Sequence, residues 1–135
     1  MADAVDTLTV FAGKKRQVYR FTNVSDGTGE SAVVKIDKSG LVNTQGLEPA
    51  KLIIEEIQWS INGFSSVRLL WDHNTDDEIA VLGTGQGFRV TMPEHQGMVD
   101  PASAGGTGDV LLTTAGAVSG ATYDIQVVVR LTDAA

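Results

Sequence analysis

The chain has 135 residues, of which 42 % are hydrophobic and none is cysteine, and its net charge at pH 7 is −7. The length fits one domain with its own core, and the hydrophobic fraction argues against a disordered chain. The lack of cysteine excludes disulfides, thiolate catalysis and cysteine-bound metals, and the negative charge argues against general nucleic-acid binding, which needs clustered cations.

Alternation of apolar and polar residues with a period of two, which is typical of half-buried strands, recurs along the chain. In chain order, the segments that predict strands are 7–11, 18–22, 32–36, 51–62, 67–71, 79–81, 88–92, 110–112 and 123–131. The longest of the early segments is predicted as one strand with a bulge near Glu55-Glu56, where the alternation slips by one residue. A short helix over 48–57 is the alternative there.

Glycine-containing segments predict turns between these strands, because glycine adopts positive φ without a steric penalty. They are 26–29, 39–40, 62–63, 83–87, 105–108 and 119–120. The strongest hairpin signal is Asn62-Gly63, since a type I′ turn needs positive φ at both central residues. A two-residue turn there would place Ile61 opposite Phe64.

The strand and turn pattern predicts an all-β fold, specifically a jelly-roll-like antiparallel β-sandwich of about eight to nine strands. Closure into a barrel is the alternative. We expect an N-terminal strand or arm over 1–14, a single β-sandwich domain over 15–132 and a C-terminal tail over 133–135. No apolar run is long enough to span a membrane, and the first eleven residues lack the features of a signal peptide.

Patterns that would predict chemistry are weak. Residues 72–78 begin like a calcium-binding loop, but the sharp-turn position holds Asp77 instead of glycine, so an acidic hairpin tip is favoured over a weak cation site. His73 and His95 lack metal-type or nucleophile-type spacing and are expected to be loop residues. The glycine segment 83–87 precedes a strand and not a helix, which argues against nucleotide binding. We therefore predict no catalytic residue, no cofactor and no metal.

The two tryptophans, Trp59 and Trp71, lie in phase with aliphatic neighbours. Packing in the core is therefore favoured over exposed platforms for sugars. Candidate carboxylates for glycoside hydrolysis are present, but the sequence does not place two of them at the separation that this reaction needs.

Charge is unevenly distributed along the chain. Residues 1–40 carry a net +1 and residues 41–135 a net −8. The triplet Lys14-Lys15-Arg16 lies between two predicted strands, where a solvated hairpin tip is favoured and an anchor for an acidic surface is the alternative. For residues 1–40 as a whole, a solvated surface is likewise favoured. The alternative is a basic surface that binds an acidic partner, which could be a second copy of the chain.

Five segments in the second half of the chain carry a resemblance to a known protein class. They are 58–64, 67–72, 82–87, 106–114 and 122–130. Through them the region from Gln58 to Leu131 resembles the capsid decoration, or cement, proteins of tailed bacteriophages.

The resemblance implies a non-enzymatic virion protein that forms a homotrimer on the outer surface of the phage head and binds the major capsid protein. The net charge and the lack of a long apolar run predict no nucleic acid and no membrane as partner. It transfers no functional residue to this chain. A terminal strand can add to an exposed sheet edge and neighbouring cations can fix its register, so we place the capsid contact at Leu8, Val10, Phe11, Lys14, Lys15 and Arg16. The alternative function is a phage tail or fibre component with a receptor- or carbohydrate-binding β-sandwich.

Overall fold

The computed structural model describes residues 4–13, 15–43, 45–49, 52–73, 76–90, 98–99 and 108–131. Within these ranges the chain forms eight strands, β1 (Ala4–Ala12), β2 (Arg16–Asp26), β3 (Val33–Ile36), β4 (Leu52–Trp71), β5 (Asp77–Val90), β6 (Met98–Val99), β7 (Val110–Ala115) and β8 (Ser119–Leu131), and one 3₁₀ turn (Lys38–Gly40). The prediction of an all-β fold is confirmed. No helix in the described part has the length and apolar character that crossing a bilayer requires.

The described strands form one antiparallel sheet that nearly closes into a barrel. Six strands follow the order β1-β2-β8-β4-β7-β3. The other two, β5 and β6, also pair with β4 but are not part of this linear order. The 20-residue strand β4 pairs with β8 along its first half and with β7 along its second half, while β5 accompanies both halves. β4 is therefore the strand that connects the two parts of the sheet, consistent with the predicted antiparallel β-sandwich.

The bulge predicted in the long strand is confirmed, because the register between β4 and β8 shifts between Ile54 and Glu56. Leu52 and Ile54 are fully buried before the shift, and Ile57 and Ile61 are buried after it. A change of one residue in register moves side chains to the opposite face of a strand. The bulge therefore compensates for the slip in the sequence and keeps the apolar residues of β4 in the core.

The hairpin predicted at Asn62-Gly63 is wrong, because β4 continues through both residues without reversing. Ile61 pairs with Tyr123 on β8 and does not lie opposite Phe64 in a hairpin. The positive φ of Gly63, 89°, instead bends a single long strand.

Two more of the predicted turns also lie inside strands: 83–87 belongs to β5 and 119–120 to β8. Opposite the bend in β4, the β4–β5 register jumps from Ile61–Gly85 to Ser66–Gly83. The Thr84 hydroxyl between these glycines donates to the Phe64 carbonyl oxygen at 2.5 Å. Gly83 and Gly85 therefore allow β5 to remain paired with β4 on both sides of the bend at Gly63.

The core is formed by the inward faces of β2, β4 and β8 together with residues of β3, β5 and β7, and it contains most of the aromatic side chains that the structure describes. The rings of Phe64 and Tyr123 are tilted by 47° with centroids 5.9 Å apart, and Phe21 is fully buried. Trp71 is 2 % exposed, as predicted, and Trp59 is half-buried and packs against the same core.

The bend at Gly63 provides a stability test. A Cβ at this position would lie 2.9 Å from both Cα and Cβ of Ala121, and the positive φ disfavours any L side chain. We expect Gly63→Ala to lower the free energy of unfolding by about 2 kcal/mol, measured by urea unfolding with circular dichroism. Gly83→Ala is the control, since nothing lies within 4 Å of its Cβ and its φ is not positive. Equal losses in the two variants would contradict this explanation.

Candidate functional site

Of the residues predicted to contact a capsid, Leu8, Val10 and Phe11 belong to β1, Lys15 comes before β2, and Arg16 is the first residue of β2. Those whose side chains the structure describes are exposed, with Leu8 and Val10 at 53 % and 52 % and Lys15 and Arg16 also exposed. The side chain of Phe11 and all of Lys14 lie outside the described residues.

β1 is an edge strand, since in the described part of the chain it pairs with β2 and with no further strand. The side chains from Val5 to Val10 are exposed on both faces of the strand. Register with β2 is regular from Ala4 to Thr9 and then shifts, so that Val10 has no residue directly opposite it. An edge of this kind is a template for a further strand, and its regular part is 4–9.

A three-residue charge cluster lies where the β1–β2 turn meets the sheet. Arg16 and Arg130 are directly opposite each other on β2 and β8, an arrangement that destabilises a sheet when both residues carry the same charge. Glu55, at the bulge in β4, lies between them: Arg16 Nε donates to its Oε1 at 2.7 Å, and Arg130 Nε lies 3.3 Å from its Oε2.

The carboxylate of Glu55 raises the pKa of Arg16, through the hydrogen bond first and the charge second. Two arginines and one glutamate leave a net charge of +1 in the cluster, beside the exposed Lys15. The positive charge that the sequence predicts around residues 14–16 is therefore partly neutralised within the chain, because Arg16 already pairs with Glu55.

A buried ion pair that the sequence did not predict joins the β2–β3 connection to β3. Lys35 Nζ lies 2.7 Å from Glu30 Oε2, and the two side chains are 3 % and 6 % exposed. The other carboxylate oxygen of Glu30 accepts hydrogen bonds from Asn23 Nδ2, at 2.9 Å, and from the Tyr123 hydroxyl. The Glu30 backbone N–H donates to Thr114 Oγ1 at 2.8 Å. The pair therefore fastens the β2–β3 connection to β7 and β8, and its carboxylate is occupied by protein groups.

The acidic segment between β4 and β5 forms a local structure around a buried histidine. His73 lies in this connection, as predicted, but it is 5 % exposed, and its Nδ1 lies 2.5 Å from Asp77 Oδ2. Its backbone N–H donates to Asp76 Oδ1 at 3.1 Å. The described residues contain no group of three or more side chains suited to hold a metal ion, and His95 lies outside them.

A groove of about 550 Å³ crosses the outer face of four adjacent strands, β2, β8, β4 and β5. It is lined by residues that are mostly polar: Arg20, Gln58, Trp59, Ser60, Gln86, Gly87, Asp124 and Gln126. On β2, β4 and β8 the polar ones alternate with residues that pack in the core, which places them on the outer face, and Gln86 on β5 lies opposite Ser60 of this set. The only sequence signal for this groove was the polar half of the strand alternation.

Hydrogen bonds fix the charged residues of the groove. Arg20 donates to Asp124 from Nε, at 2.9 Å, and from a terminal nitrogen, at 2.5 Å. This hydrogen bonding and the charge of Asp124 raise the pKa of Arg20. Asp124 is the one carboxylate in the described lining, so the groove does not contain the pair of acids that glycoside hydrolysis uses.

Comparisons of the chain with protein-family models, with curated proteins and with solved structures found no match. The function proposed below therefore rests on the sequence segments that resemble decoration proteins and on the described surfaces.

The buried ion pair can be tested by removing its cation. Lys35→Met leaves the Glu30 carboxylate buried beside no cation, so we expect a loss of about 3–5 kcal/mol in the free energy of unfolding. The matched control is Arg68→Met, which removes a cation from the Arg68–Glu78 pair. The side chains of that pair are 45 % and 42 % exposed, and we expect a loss of about 0–1 kcal/mol. Chemical unfolding measures both, and similar losses would refute a structural role for the buried pair.

Proposed function

We propose that this chain is a non-enzymatic structural protein of a tailed-bacteriophage virion, a decoration protein that binds the outer surface of the major capsid shell and stabilises it. The proposal comes from the resemblance of the region 58–131. The structural observation that best supports it is the exposed edge of β1, because a protein that binds a shell by strand addition needs an accessible edge strand.

The attachment segment in this proposal is 4–9, where β1 keeps a regular register with β2. An added strand would form main-chain hydrogen bonds along this segment, and these give affinity without demanding a particular sequence from the partner. Val5 and Leu8, 46 % and 53 % exposed, would bury apolar surface against the shell. The bulge at Val10 would end the pairing, since a bulge interrupts the ladder of hydrogen bonds.

The charges beside β1 would set the direction and register of attachment. Lys15 and the cluster of Arg16, Glu55 and Arg130 present net positive charge on a chain whose overall charge is −7. An acidic site on the major capsid protein would be attracted to this end and repelled by the rest of the chain. Attachment should therefore weaken as salt is added, because salt screens exposed charges.

Three copies in one assembly would make attachment durable. Each edge contact is small, but linked contacts act together, and the assembly leaves the shell only when all of them are broken at once. A homotrimer with closed symmetry presents identical contacts to a shell that is itself built of repeated subunits.

Attachment through β1 can be tested with acidic substitutions. Val5→Glu with Leu8→Glu adds two charges to the proposed contact, which a shell-bound strand would have to bury. We expect at least a tenfold loss of binding to purified phage heads that lack the protein, measured by co-sedimentation. The control is Val81→Glu with Val118→Glu, at two apolar residues away from β1 that are 51 % and 54 % exposed. This control variant gains the same two negative charges and should bind the heads as the unaltered protein does. Normal binding by the β1 variant would refute this contact.

The oligomeric state is a separate prediction. Native mass spectrometry of the purified protein should show a species of three chains. The β1 variant should keep this mass, because β1 is assigned to the shell and not to the contacts between copies. A strictly monomeric protein, both in solution and on the shell, would contradict the trimer, and loss of the trimer in the β1 variant would reassign β1 to the contact between copies.

A further inference from the structure

We propose that the groove on the outer face of β2, β8, β4 and β5 binds a neutral oligosaccharide. None of its lining residues belongs to the β1 contact, so this inference does not depend on the function proposed above. It rests on the arrangement of polar side chains in the groove and on the balance of charge there.

The register of the sheet places the polar residues in two parallel rows. Gln126 on β8 lies opposite Arg20 on β2 and Gln58 on β4. Cross-strand neighbours of this kind lie about 5 Å apart, and the rows are separated by two residues along each strand. Polar groups therefore repeat in two directions over the floor of the groove.

The second row has the same construction. Ser60 on β4 lies opposite Asp124 on β8 and Gln86 on β5. Each glutamine amide has two N–H donors and an acceptor, and the serine hydroxyl both donates and accepts. Gln58 Nε2 uses one donor on Glu56 Oε1, at 2.9 Å, which leaves one N–H and the amide oxygen of Gln58. Sugar hydroxyls also donate and accept, so adjacent hydroxyls of one ring can bond to both atoms of an amide. Three amides and a hydroxyl in one groove match a ligand with many hydroxyl groups.

The charges of the lining argue against other classes of small ligand. The described lining contains one cation, Arg20, and one anion, Asp124, and these two are bonded to each other. A phosphate or nucleotide would meet no available cation, and a metal ion would meet no cluster of carboxylates. The lining is neutral overall, which favours a neutral ligand. The volume, about 550 Å³, lies in the range of about 300–1,000 Å³ typical of small-molecule sites.

Trp59 lies between Gln58 and Ser60 on β4 and packs against the core, so alternation places its side chain on the inner face of the sheet, beside Gly87 on the neighbouring strand. A Cβ at position 87 would be 2.6 Å from the indole Cζ2, so the glycine allows the indole to lie against the β5 backbone. Because Trp59 belongs to the part of β4 that forms the groove, its fluorescence reports on binding there from the core side of the sheet.

Saturation-transfer NMR with the purified full-length protein tests the proposal. The probes are neutral oligosaccharides built from glucose, galactose, mannose or N-acetylglucosamine, with inorganic phosphate and an acidic oligosaccharide as comparisons. We expect transfer to at least one neutral member, a change in Trp59 fluorescence in a Trp71→Phe background, and a Kd measurable by calorimetry.

Variants then locate the site. Gln126→Ala and Gln58→Ala should each weaken binding of that oligosaccharide by about tenfold, since each leaves ligand hydroxyls without a partner. Gln45→Ala, at an exposed residue outside the groove, should leave the Kd unchanged. No transfer to any neutral probe, a preference for the acidic probes, or unchanged affinity in both groove variants would overturn the inference. Binding to phage heads by the groove variants separates this outcome from failure of the β1 contact.

Discussion

The fold depends on keeping one face of β4 buried over 20 residues. This strand pairs with four others in the described part of the chain, and a strand of that length does not stay on one small core without changing direction. The bulge after Ile54 restores the phase of the apolar residues, and the bend at Gly63 turns the strand toward β7. Because burial of apolar surface drives folding, these two irregularities are what allow a single strand to serve both parts of the core.

Regular structure was predictable from the sequence wherever the alternation was unbroken. The bulge at Glu55 was also predictable, because a slip in phase is visible in the residues themselves. The hairpin at Asn62-Gly63 was not, since glycine with positive φ serves a chain reversal and a bend equally well. What distinguishes the two is the partner: the strand that follows Gly63 pairs with β7 and β5, and both lie later in the chain.

The two polar sites could not be predicted, because each depends on pairing between distant segments. Glu30 and Lys35 are near in sequence, but Glu30 is hydrogen-bonded to Thr114 and Tyr123, which lie 84 and 93 residues further along the chain. The groove unites β2 with β8 and β5, and nothing in their individual patterns specifies the register that places Gln58 beside Gln126. Glu55 shows the same limit, since its position at a bulge was predictable and its role between two arginines was not.

The geometry of one sheet explains how the proposed attachment edge and the proposed binding groove can coexist. A strand added at β1 extends the sheet in its own plane, whereas a ligand in the groove approaches perpendicular to that plane. Occupation of the edge therefore leaves the outer face of β8, β4 and β5 accessible.

The two proposed sites also differ in the forces that would hold a partner. The edge combines exposed apolar side chains with net positive charge, so its contacts should respond to salt. The groove contains a bonded Arg20–Asp124 pair and neutral amides, so its contacts should respond to the pattern of hydroxyl groups and hardly to salt. Salt dependence thus separates the two surfaces without any substitution.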